Sequence, residues 1–198
     1  NQPAILVWNL TKLAETLIPL IDENEKKSVK QLTEVVQLAM PSYQEYFYKE
    51  FCEKLGLHNI DDMNIKIIDS YLKILHSESI DFTLSFRDLA KIVNKSMKVE
   101  DSVFKESKNF DKWFKSWKKE INITDIFQKM NLKNPCYIPR NHLIEDALKY
   151  ANNGDMTEIN LITKLLEAPF IENDRYEKYT MPSSSDERYV CLLYTSPS

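Results

Sequence analysis

Two glycines in 198 residues, Gly56 and Gly154, restrict what this chain can build more than any other feature. Walker, dinucleotide-binding and kinase glycine-rich loops need clustered glycines so that backbone N–H groups can approach phosphate oxygens, and this sequence cannot write one. Each glycine instead follows an amphipathic segment, where a helix C-terminus favours a left-handed residue. No alternating stretch is long enough for a sheet, and no repeat period of roughly 20 to 50 residues is evident. The expected fold class is therefore all-α, with about eight helices.

The most informative run is Asn134 to Asp155, which carries a helix start, body and stop. Pro139 fits a first helical turn, where its missing N–H is not needed. Leu143, Ala147 and Tyr150, with Ile144, Leu148 and Ala151, recur at three and four residues and define one broad apolar face. Asn153 and Gly154 end it, and Asp155 with Glu158 reads as a capping box for a following helix from Thr157 to Glu167. Arg140 is the odd residue, because a cation in the first turn meets the positive end of the helix dipole. Two readings stay open for it: a structural ion pair with an acidic residue on a neighbouring helix, or an anion or phosphate contact.

Upstream, Leu6, Leu10, Leu13, Leu17 and Leu20 keep a 4,3,4,3 spacing beside Trp8, in a segment more apolar than a surface helix requires. Either it is central to the fold or its outer side meets chain that is not present here. Ser28 with Gln31 reads as a capping box, and Pro41 as a break. Tyr43, Phe47, Phe51 and Leu55 step by four to Gly56, and this stripe reads as packing. Asn59 or Asp61 is expected to cap a helix burying Ile65, Ile68, Leu72 and Leu75. Asp81 is expected to cap another, burying Phe82, Phe86, Leu89 and Val93. Phe110, Trp113, Phe114, Trp117 and Ile121 share a face opposite a solvated row of Lys108, Lys112, Lys115 and Lys119. Burial is expected for Trp8, Leu13, Leu17, Leu143 and Leu148.

Charge and composition then exclude function classes. A net charge of −4 argues against affinity built on neutralising nucleic-acid phosphates. No contiguous apolar run reaches the roughly 18 residues of a membrane span, so no membrane partner is expected. Cys52, Cys136 and Cys191 are far apart without a C-x-x-C, which suggests a reducing compartment and no zinc site. His58, His76 and His142 share no metal-ligand spacing. The abrupt opening at Asn1 reads as a piece of something longer.

Four segments taken together, QPAILVWNLTKLAETLIPLI (2–21), DFTLSFRDL (81–89), MNLKNPCYIPRNHLIEDALKYANNGD (130–155) and MPSSSDERYVC (181–191), resemble the selenoprotein O family in order and approximate spacing. That family consists of kinase-like protein adenylyltransferases. The resemblance covers residues 1–191 and implies the helical C-terminal lobe and extension of a protein-kinase-like fold. It further implies an intact protein that uses ATP and Mg²⁺ to transfer AMP to Ser, Thr or Tyr hydroxyls of protein substrates. The hydroxyl would attack the α-phosphorus in line, and pyrophosphate would leave.

In the family, the nucleotide-binding and metal-binding residues precede the segment that opens this chain. The resemblance therefore carries no catalytic, cofactor-binding or metal residue onto it. Isolated, these residues are expected to be inactive. Cys191 falls near the family's redox-active terminal position. Two departures stand out: Pro139 replaces a usually aliphatic residue, and the tail at 192–198, LLYTSPS, matches nothing in the family. That tail is expected to be dispensable. The implied protein is an intracellular monomer, cytoplasmic if bacterial and mitochondrial if eukaryotic. The competing reading is a free-standing helical module that binds a partner through an apolar groove.

Overall fold

The computed structural model describes residues 2–122 and 124–183. Among them run nine α-helices and two short 3-10 segments, with no strand, so the chain is all-α. Cys191 and the tail at 192–198 lie outside the described residues. The chain divides into two units, Asn1–Cys52 and Glu53–Ser198, with the boundary inside the last turn of α3.

In the first unit, α1 (Gln2–Ile21) packs against α2 (Glu25–Gln37). The stripe Val7, Leu10, Thr11, Ala14, Leu17 and Ile18 is half-buried, and no residue of α1 is fully buried. This corrects the expectation for Trp8 and Leu13, which are 61% and 55% exposed, and leaves Leu17 partly covered. The reason is geometric. A helix apolar on most of its circumference needs partners on several sides, and within this unit one helix covers one stripe. By length and composition α1 is also long and apolar enough to cross a membrane, although its apolar residues are not contiguous, which is why run length alone missed it.

Asn24 caps α2 by accepting the amides of Lys26 and Lys27. The Ser28–Gln31 box is therefore not the helix start. Ser28 is buried inside α2, and its hydroxyl donates to the Asp22 carbonyl at 3.1 Å. Pro41 lies in the first turn of α3 (Ala39–Leu55) and breaks nothing, as its missing donor is not needed there. Phe47 touches Tyr43, Tyr48 and Phe51 with ring centroids 4.7–5.8 Å apart, so the aromatic stripe is packing.

The second unit is built on an aromatic core. Tyr71 of α4 (Asp62–Ser77), Phe86 of α5 (Phe82–Val93), Phe104, and Phe110, Trp113 and Trp117 of α6 (Phe110–Glu120) are all buried. Phe104 stacks on Phe110 at 4.0 Å, and Trp113 on Trp117 at 5.6 Å. Burying a tryptophan strands its N–H unless a partner is found. Trp113 donates to the Ile67 carbonyl and Trp117 to that of Leu55, both at 2.9 Å. Lys112, Lys115 and Lys119 line the exposed side of α6. The buried face of α4 is rotated from the expected one: Ile67, Ile68, Tyr71, Ile74 and Leu75 are buried, while Ile65 and Leu72 are only partly so.

A smaller cluster joins α8 (Asn141–Asn152) to α9 (Thr157–Glu167) through Ala147, Ile162 and Leu165, with Cys136, Tyr137 and Tyr179 beneath. Leu143 is partly buried against it, but Leu148 is 47% exposed, contrary to expectation. Its main neighbour among the described residues, α9, covers the Ala147 side and leaves the Leu148 side open. The Asp155–Glu158 box is corrected too. Asp155 accepts the Thr157 amide at 2.9 Å, whereas Glu158 turns away to accept the Tyr179 hydroxyl at 2.7 Å. A helix absent from the sequence reading, α7 (Ile126–Lys133), follows Asp125, whose φ of 61° is left-handed.

Candidate functional site

Asp81 stands at the N-cap of α5, where its side chain accepts the Leu84 amide at 2.8 Å and satisfies one of the helix's free first-turn donors. The same carboxylate receives Arg140, which is the N-cap of α8 and not, as the proline suggested, a residue of its first turn. Pro139 therefore precedes the cap, and its fixed φ directs the chain into the helix. Arg140 Nη1 donates to Oδ2 at 2.8 Å and Nη2 to Oδ1 at 3.1 Å, a parallel two-point pair with the arginine side chain 8% exposed. Burial pushes the Asp81 carboxyl up, but Arg140 and the Leu84 amide outweigh it and hold it below its ordinary value. One cation thus faces its own helix's positive end because a carboxylate from another helix neutralises it.

A second polar knot lies six residues further along α5, at Arg87. Arg87 Nη1 donates to the carbonyl of Asn134 at 3.2 Å and to that of Asn131 at 3.5 Å, covering the C-terminal end of α7. Its Nη2 reaches Glu172 at 2.6 Å, and Lys91 reaches the other oxygen of Glu172 at 2.6 Å. Burial opposes the charge of Glu172, and the two cations overcome it and lower its pKa. Next along, Asp88 accepts the Val103 amide at 2.9 Å. There burial wins and pushes the carboxyl up. Asn134, 2% exposed, donates to the carbonyls of Lys54 and Met130 at 2.8 Å each.

The chain after Asn134 is held just as closely. The amides of Cys136 and Tyr137 both donate to the Pro169 carbonyl, and the Tyr137 hydroxyl exchanges hydrogen bonds with the backbone of Asn173. The segments 81–89 and 134–140, distant in sequence, are therefore one junction. A cleft of about 1130 Å³ opens over it, walled by Phe82, Ile138 and Pro139, with Glu78, Lys105, Glu106, His76 and His142 on its rim. Charges of both signs, Glu78, Asp81 and Glu106 with Lys105 and Arg140, line this cleft.

Of the residues singled out from sequence, Arg140 is placed by its pair with Asp81, and Cys191 lies outside the described residues. Arg87, Asp88, Asn134 and Glu172 were missed. A signal for the first two existed: a charged pair between Phe86 and Leu89 falls where a helix covered on both sides has no solvent face. Glu172 sits in a loop and carried no signal.

ATP and Mg²⁺, which the resemblance implies, can be tested against these residues. Among the described residues no group of three or more His, Cys, Asp or Glu could hold a metal ion. Gly56 and Gly154, with φ of 65° and 87°, both close helices. The terminal nitrogens of Arg140 are engaged by Asp81. The described residues do not fit a Mg–ATP site.

Comparison with known proteins bears on the rest. The family model of protein adenylyltransferase SelO matches residues 1–167. The protein nucleotidyltransferase YdiU of Pelagibacter ubique is 36% identical over 201 residues, covering 98% of this chain and 41% of that protein. The YdiU protein of Chromobacterium violaceum is 34% identical over 193 residues, with 94% and 40% covered. That of Maridesulfovibrio salexigens is 32% identical over 194 residues, with 95% and 39% covered. The chain spans about two fifths of the length of the curated relatives it matches.

Proposed function

Because this chain belongs to the protein adenylyltransferase SelO family, we propose that it is the helical C-terminal part of a kinase-like enzyme that transfers AMP from ATP to Ser, Thr or Tyr hydroxyls of proteins. The observation that carries this reading is the family match across residues 1–167, which takes in both segments of the Asp81–Arg140 junction. In the intact protein, ATP and Mg²⁺ are bound by residues outside this chain, and the substrates are proteins. The intact enzyme acts as a monomer without nucleic acid or membrane, in the cytoplasm of a bacterium or the mitochondrion of a eukaryote.

These residues act on the reaction indirectly. A metal-binding loop held to a fraction of an ångström needs elements behind it whose own side chains are locked. The junction supplies such locking: two buried arginines, each engaged through both terminal nitrogens, tie α5 to α7, α8 and the 172 loop. The test is labelled-AMP transfer onto a protein substrate, with calorimetry for ATP, on this chain alone and on one chain joining it to the remainder of a family member. No binding and no label are expected from the short chain, and both from the joined one. Transfer by the short chain would overturn the reading.

A further inference from the structure

Helix α1 is apolar nearly all round yet has no buried residue. Beyond the half-buried side facing α2, Leu6, Leu13 and Leu20 recur every seven residues along its outer surface, 48%, 55% and 78% exposed. Ile5 and Trp8, both more than half exposed, carry the uncovered apolar surface round to the other flank of α1. A helix of this kind normally sits inside a larger body or a bilayer. Its only described charges are Lys12 and Glu15, paired with each other at 2.8 Å at the middle of the helix. That is the depth at which a bilayer tolerates charge least.

We propose that the exposed surface of α1, from Trp8 on one flank round to Leu6, Leu13 and Leu20 on the other, is the seat for the part of the family's protein that lies outside the region this chain matches. The length of that part supports the choice of occupant. The Pelagibacter ubique relative is covered to only 41%, so about three fifths of its length has no counterpart here, while the family match begins at residue 1 and includes all of α1. The helix is thus part of what the family shares, and the family has enough further chain to enclose it. The proposal rests on the reading that this chain is one portion of a longer adenylyltransferase.

Trp8 makes the test direct. Trp113 and Trp117 are 5% and 0% exposed, so acrylamide quenching of tryptophan emission in this chain reports Trp8. The probe is the unmatched part of the Pelagibacter ubique relative, engineered without tryptophan and titrated into the full chain. The expected result is loss of Trp8 quenching on a one-to-one complex, and affinity weakened about tenfold or more by Leu13→Asp or Leu20→Asp. Both leucines are exposed, so these variants should keep wild-type circular dichroism and melting.

To remove dependence on the separate part's folding, the same substitutions are made in a single chain joining the two. There they should lower the melting temperature, and wild-type melting would sink the proposal. So would a complex in which Trp8 stays quenchable. Protection of Trp8 by phosphatidylglycerol vesicles alone, or protection rising with the concentration of this chain alone, would assign the face to a membrane or to a second copy. If the joined chain buries Trp8 but transfers no AMP, the adenylyltransferase reading fails while the docking face stands.

Discussion

Asp81 does two jobs with one carboxylate, capping α5 and pairing Arg140, and these separate by mutation. Arg140→Ala leaves the Asp81 carboxylate half-buried with only its cap to hold it. Removing one partner of a buried pair costs about 3–5 kcal/mol. Asp81→Ala strands the more deeply buried guanidinium and also loses the cap, worth about 1 kcal/mol more. Urea denaturation of both variants should rank Asp81→Ala as the worse. The same residues set the response to acid. Asp81 and Glu172 have folded pKa values below their unfolded ones, so their stabilisation is present above the ordinary carboxylate range, about pH 4, and is lost as pH falls through the folded values. Asp88 has the opposite sign: its raised pKa means that its contribution is greatest in acid and declines as pH climbs past about 4 toward the folded value. Denaturation followed from about pH 3 to pH 7 should show a shallower acid limb for Asp81→Asn than for wild type, and a steeper one for Asp88→Asn.

Helix ends are where sequence and structure can be compared most closely. Gly56 and Gly154 both hold positive φ, so alanine at either costs about 1–2 kcal/mol in backbone strain. A Cβ on Gly154 meets open space, whereas one on Gly56 would sit 1.9 Å from Ile126 Cδ1 in the core. Gly56→Ala should therefore be the more destabilising in chemical denaturation. Ile126→Val, which deletes the Cδ1, should recover part of that loss and none of the Gly154→Ala loss. The Gly154 stop, the Asp61 and Asp81 caps and the span of α9 were all legible, because each is written in residues adjacent in the chain. Competing local signals misled elsewhere. Ser28 offered a plausible cap, but Asn24 met the amides first. α7 is eight residues long and starts from a left-handed aspartate, a geometry that no pattern of apolar spacing encodes. The ends of the Arg87–Glu172 contact are 85 residues apart and do not inform each other in sequence.

Across the whole molecule, the two units differ in how much core they own. α1 has no fully buried residue and α2 only Ser28, whereas α4 and α5 carry six and seven. Opening free energy tracks buried apolar contact, so amides of α1 and α2 should exchange with deuterium well before those of α4 and α5. Equal protection in the isolated chain would show that α1 is covered in solution. The burial of α1 was misjudged from sequence because apolar spacing reports which residues want cover and not whether the cover is present. Glu172 also places a demand on synthesis. Arg87 and Lys91 leave the ribosome 85 and 81 residues ahead of the carboxylate they share. At about 5–20 residues per second, that is roughly 4–17 s in which the nascent α5 carries a guanidinium destined for burial with no counter-charge yet made. α5 cannot settle into its final seat until translation has passed the 172 loop, so the window for chaperone capture of this domain closes late.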